Sequence, residues 1–235
     1  MRGWCGAICW LSYAVSTAHD PYLSCALISP LVQGADVDIF HSAARVHSEQ
    51  GPLRSYALRR LMQNILASGL QMDAVDVEGK ITGSMIYSTM IHLFVKVDPK
   101  HPAEVALEQL FDIRNAGVTP DLRTCHTALD ILSRKSYEVA ADPVAAERVI
   151  YEFMNGGGAE NGCSATAESY ALLGRAYARA RSSPKNAELA EQVLVRMEVA
   201  GLTPVSENLN ALLEACVRSP VSLPVLNLGA LVICC

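Results

Sequence analysis

The sequence predicts an all-α fold, a right-handed α-solenoid of stacked antiparallel helix hairpins. Three observations predict it. A phrase returns within the chain: RNAGVTPD at Arg114 to Asp121 and EVAGLTPV at Glu198 to Val205, each closing a helix-like segment, as stacked helical units do. Four glycines, Gly69, Gly117, Gly158 and Gly201, each follow an apolar stripe of helical spacing. The composition is 51% hydrophobic, 18% charged and 6% aromatic over 235 residues. That is apolar enough to bury a core, too weakly charged for disorder, and rich in the Ala and Leu that favour helices.

The second helix of each unit is read backwards from its glycine. Eight residues before stand Leu61, Gln109, Ile150 and Val193, seven before stand Met62, Leu110, Tyr151 and Leu194, and four before stand Ile65, Ile113, Met154 and Met197. Eleven of these twelve are apolar or aromatic, and the offsets trace one face of an α-helix. Glycine then supplies the left-handed C-cap without a Cβ clash. Pro120 and Pro204 follow where a helix cannot continue.

First helices share a second stripe: Met90, Ile91 and Phe94; Ala128, Leu129 and Leu132; Leu172, Leu173 and Ala176; Leu212, Leu213 and Cys216. Polar, proline-bearing connectors at 98–102, 136–143 and 182–186 separate first from second helices, and 73–83 is a longer insertion between units. A lone hairpin cannot bury its stripe, so neighbours must stack. The predicted organisation is an apolar N-terminal segment at 1–35, a helical-repeat array at 36–218 and an uncharged tail at 219–235. The N-terminal segment reads either as a targeting sequence or as part of a preceding repeat. The tail, broken by Pro220 and Pro224, is too short for a membrane span. The unfinished last repeat suggests a piece of a longer array.

Chemistry is mostly excluded. There is no H-E-x-x-H, no G-x-x-x-x-G-K-[ST], no G-x-S-x-G and no EF-hand spacing. Eight cysteines are scattered without a C-x-x-C pair, and Cys125 and Cys216 read as small buried apolar residues in a reducing compartment. The net charge of −5 argues against strong nonspecific nucleic-acid binding but leaves room for a locally basic groove. Arg175, Arg179 and Arg181 form one small basic group. No catalytic residue, metal or cofactor is expected.

The run Ile86-Tyr87-Ser88-Thr89-Met90-Ile91, followed after a second helix by Asn115-Ala116-Gly117-Val118-Thr119-Pro120-Asp121, resembles the pentatricopeptide repeat, a helical hairpin. The unit from Ser84 to Asp121 is the best match; 122–162 and 166–205 are weaker, 39–73 is degenerate, and 206–218 looks like a first helix alone. Tetratricopeptide repeats share the build, but the complete Gly-x-x-Pro-Asp close favours the pentatricopeptide form. The resemblance implies binding of single-stranded RNA inside a mitochondrion or chloroplast, one repeat to one base. Its base-reading pairs fall on Ser88 with Asp121, His126 with Gly162, and Tyr170 with Val205, with Asn210 opening a further pair and Ala43 with Asp73 in the degenerate copy. In that family a small hydroxyl with Asp favours guanine, so Ser88 and Asp121 imply a guanine preference. Asp121 equally suits a helix N-cap, and Tyr170 equally suits packing between repeats.

Two functions follow as expectations. The first is a noncatalytic RNA-binding protein of organelle RNA processing, stability or translation. The second is a protein-interaction scaffold or structural subunit of a ribosome-like assembly, which the acidic charge favours. Neither expects a membrane.

Overall fold

The computed structural model describes residues 54–67, 69–72, 82–134, 139–155 and 163–219. The N-terminal segment 1–35, positions Ala43, Asp73, Gly158 and Gly162, and tail residues 220–235 lie outside them. The described elements are helical: α1 Arg54–Ala67, α2 Gly83–Val97, α3 Pro102–Asn115, α4 Leu122–Ser133, α5 Pro143–Val149 continued by a π-helical turn Ile150–Asn155, α6 Ala167–Arg179, α7 Asn186–Val199 and α8 Ser206–Arg218. The chain divides into two compact units. One comprises residues up to Ile131 with Arg148–Ser164, the other Leu132–Glu147 with Ala165 onward.

Three helices, α1, α3 and α7, stop for the reason the sequence suggests. Gly69, Gly117 and Gly201 take φ of 71°, 82° and 74°, the left-handed region that admits glycine most cheaply. After α3 the Val118 N–H reaches back to the Ile113 carbonyl at 3.2 Å, and after α7 Leu202 N–H does the same to Met197 at 3.0 Å. These are matching Schellman closures, and they satisfy carbonyls the helix itself leaves open. The recurring phrase is thus a recurring C-cap.

The predicted stripes of second helices are buried in α1, α3 and α7. The third unit differs. Tyr151 was expected inward but is 75% exposed, whereas Val149, Ile150, Phe153 and Met154 are buried. Counted back from Gly157 instead of Gly158, the set comes into line. Leu61, Gln109, Val149 and Val193 stand at eight; Met62, Leu110, Ile150 and Leu194 at seven; Ile65, Ile113, Phe153 and Met197 at four. Leu58, Ala106, Ala146 and Ala190 add a further buried row at eleven. Along this helix the buried residues recur every four positions, from Ala145 and Ala146 through Val149 and Ile150 to Phe153 and Met154. An α-helix turns about 100° per residue, so a spacing of four drifts about 40° per cycle. A π turn, bonding i to i+5, absorbs that drift.

In the first unit α1 packs on α2, and α2 on α3. Second helices also meet there: the rings of Phe111 on α3 and Phe153 on the π turn lie edge to face at 5.2 Å. The Arg114 guanidinium covers both rings at 4.8 and 4.7 Å, and Glu152 approaches it at 3.8 Å. In the second unit α6 packs on α7 and α8, and α7 on α8. The buried Asn208 side chain donates to the Ala167 carbonyl at 3.0 Å, tying the start of α8 to that of α6.

Candidate nucleic-acid interface

The starts of the first helices set the register of any repeated site. Asp121 caps α4, its Oδ1 accepting from the Thr124 N–H at 2.9 Å. Thr166 caps α6 in a reciprocal box with Ser169. Val205 holds the same place before α8 but has no side-chain acceptor. Only the return half is made, the Val205 N–H donating to Asn208 Oδ1 at 3.0 Å. Aligned on Asp121, Thr166 and Val205, the buried positions Thr124, Cys125, Ala128 and Leu129 of α4 correspond to Ser169, Tyr170, Leu173 and Gly174 of α6. In α2 the matching set is Ile86, Tyr87, Met90 and Ile91. That helix begins one residue further upstream, with Thr82 as its cap.

This register revises the third unit. Tyr170 occupies the place of Tyr87 and Cys125 and is 6% exposed, a core residue. The position equivalent to Ser88, His126 and Asn210 is Ala171. Likewise the capping residue equivalent to Asp121 and Val205 is Thr166, four residues beyond Gly162. The stripe expected at Leu172, Leu173 and Ala176 was therefore one residue out. Burial could not reveal it, because α6 is buried on nearly every side from Ser169 to Ala178. The signal available was Thr166 itself, a residue type favoured at helix N-caps; its pairing with Ser169 is seen only in the structure.

The row Ser88, His126, Ala171 and Asn210 is unevenly buried. Ser88 is 8% exposed, Ala171 is buried, His126 is half-buried and Asn210 is exposed. The Ser88 hydroxyl has no hydrogen-bond partner among the described residues. Thr89 beside it instead donates to the Met85 carbonyl at 2.7 Å. Ser84 Oγ on the same helix and Gln109 Oε1 on α3 are likewise buried without a partner among the described residues, so Ser88 is not singled out by lacking one. Asp121 is half-buried, with Oδ1 engaged in the cap and Oδ2 making no hydrogen bond among the described residues. Val205 is 39% exposed and apolar.

Much of the basic group is already committed. Arg175 Nε donates to Ser133 Oγ at 3.1 Å. Arg179 pairs with Glu214 at 3.0 Å, and Glu214 also holds Arg218 at 3.0 Å. Glu147 accepts from both the Tyr177 hydroxyl and the Arg196 guanidinium at 2.7 Å. Arg181 stays exposed, with no ion pair among the described residues. Burial pushes the Tyr87 phenol up to about 12, and it donates to the Leu70 carbonyl at 2.7 Å. Burial, aided by Glu147, moves Tyr177 to the same value.

No family model, curated protein or solved structure matches the chain. Among the described residues no three His, Cys, Asp or Glu side chains gather as a metal site, and no helix is long and apolar enough to cross a membrane.

Proposed function

We propose that this protein is a noncatalytic single-stranded RNA-binding protein, built as a right-handed solenoid of helix hairpins and acting on RNA in a mitochondrion or chloroplast. The observation that carries the reading is the helix-closing phrase that recurs at Arg114 to Asp121 and Glu198 to Val205 with matching backbone closures, together with Asp121, whose Oδ2 makes no hydrogen bond among the described residues. A carboxylate oxygen that accepts matches a donor on the edge of a base such as guanine. The repeated polar row at Ser88, His126 and Asn210 extends the same pattern along the chain, with Ala171 as a silent position.

The test is binding to a panel of single-stranded RNAs that differ at one position. Asp121→Asn keeps a capping side chain and should shift the base preferred at that position while the helical circular-dichroism signal persists. Equal weakening toward every RNA refutes the assignment. Affinity no greater than that of an unrelated acidic helical protein refutes RNA binding itself.

One observation favours a second reading, a protein scaffold. Leu213 on α8 is 57% exposed, although its equivalents Ile91, Leu129 and Gly174 are all buried. Val217, one turn on, is exposed as well. A scaffold using this face forms a complex that survives nuclease treatment and is lost in Leu213→Asp; a complex retained by that variant rules the face out.

A further inference from the structure

We propose that Cys125 and Cys163 form a reversible dithiol–disulfide site that staples α4 to the non-helical stretch at Cys163 when the surrounding thiol pool turns oxidising. The two sulfurs lie 3.9 Å apart, both thiols are free, and they stand 38 residues apart in the chain. A disulfide needs about 2.05 Å between sulfurs. The approach required is therefore about 1.9 Å, within the reach of side-chain rotation and a small backbone shift. The two backbones differ in freedom. Cys125 sits inside α4, held by its helical hydrogen bonds, whereas Cys163 lies in no helix. The movable partner is thus Cys163.

The pair is also chemically unequal. Cys125 is wholly buried, while Cys163 retains 7% exposure. The Cys125 S–H stabilises a thiolate on Cys163 and draws its pKa below the ordinary thiol value. Cys125 is pushed up by that same contact and by burial. Thiolates are the attacking species in exchange, so Cys163 reacts first and Cys125 resolves.

With a small disulfide such as oxidised glutathione as oxidant, the Cys163 thiolate attacks one sulfur. The glutathione S–S bond breaks and a first glutathione thiolate leaves. Cys125 gives its proton to a departing thiolate and attacks Cys163 Sγ, breaking the mixed disulfide and releasing the second. Two protein thiols lose two electrons, and one small disulfide is reduced to two thiols that carry the two protons.

The experiment uses the full chain, equilibrated across ratios of oxidised to reduced glutathione, quenched in acid, alkylated and digested with trypsin. Arg123, Arg134, Arg148 and Arg175 place the two cysteines in separate peptides, Thr124 to Arg134 and Val149 to Arg175. The expected result is a mass-linked pair of these peptides that grows with the ratio, disappears on reduction and is absent in Cys163→Ser. With iodoacetamide on the reduced protein, Cys163 should label faster than Cys125. The wild-type mapping needs no variant to fold. Recovery of both peptides alkylated and unlinked at every ratio overturns the proposal, and so does Cys163 linked mainly to another cysteine.

Discussion

Substitution of Gly83 by Ala tests how the first described hairpin is joined to the turn preceding it. A Cβ at this position would collide with the Gln71 carbonyl oxygen and lie 3.0 Å from its carbon and 3.3 Å from Met72 Cα. All three are backbone atoms, so no side-chain tip can swing aside. The turn is held against α2 by Ser84 N–H donating to the Met72 carbonyl at 2.8 Å and by Tyr87 Oη donating to the Leu70 carbonyl at 2.7 Å. Relieving the clash needs a shift of more than about 1 Å, which loosens both bonds. Two hydrogen bonds contribute about 2 kcal/mol together, and an orphaned buried phenol adds about 1–3 kcal/mol. The expected loss is about 3–5 kcal/mol. Gly117→Ala is the control. Its φ is +82° and nothing lies within 4 Å of the added Cβ, so only conformational strain of about 1–2 kcal/mol applies. Urea unfolding of the full chain at neutral pH, followed by circular dichroism, compares the two. If Gly83→Ala costs no more than Gly117→Ala, the close approach of turn and helix is wrong.

Ile113→Ala should cost about 2–5 kcal/mol, whereas Tyr151→Ala should stay within about 0.5 kcal/mol, because the first is fully buried and the second faces solvent; equal losses in urea melts would contradict the Gly157 register. Burial raises the folded pKa of both Tyr87 and Tyr177 from the ordinary 10.0 to about 12. A raised folded pKa contributes stability that is complete below about pH 10 and declines as pH climbs toward 12, by about 1.4 kcal/mol per pH unit per tyrosine. Urea midpoints between pH 9 and 12 should fall less steeply in Tyr87→Phe; an unchanged slope would show that its proton is not held by burial. Glu147→Ala strips the acceptor from the nearly buried Tyr177 hydroxyl and from Arg196. It should lower stability by about 1–3 kcal/mol, with a smaller loss in the double variant with Tyr177→Phe if the two act together.

The backbone plan was readable in the sequence because its signals are local. Glycines with φ near +70 to +80° close three second helices, two of them within the repeated phrase, and the stripes of α1, α3 and α7 are buried as spaced. The failures are equally instructive. Three consecutive glycines after Asn155 offered several stops, and only the burial of Val149, Ile150 and Phe153 selects Gly157 as the reference. In α6 the apolar residues run nearly unbroken, so periodicity gave no phase, and the reading position expected at Tyr170 fell on a core residue. Cys125 is buried with a free thiol, as the sequence expects, but nothing in a spacing of 38 residues foretells a sulfur 3.9 Å away.

By itself the sequence determined the helices, the glycine stops of α1, α3 and α7 and the buried faces of those three, because those depend on neighbours within a few turns. Only the tertiary structure decided which positions are equivalent, that the Ser88 hydroxyl is buried with no partner among the described residues, and that two distant thiols meet. Each of those depends on side chains brought together across the chain by packing, where local periodicity carries no information.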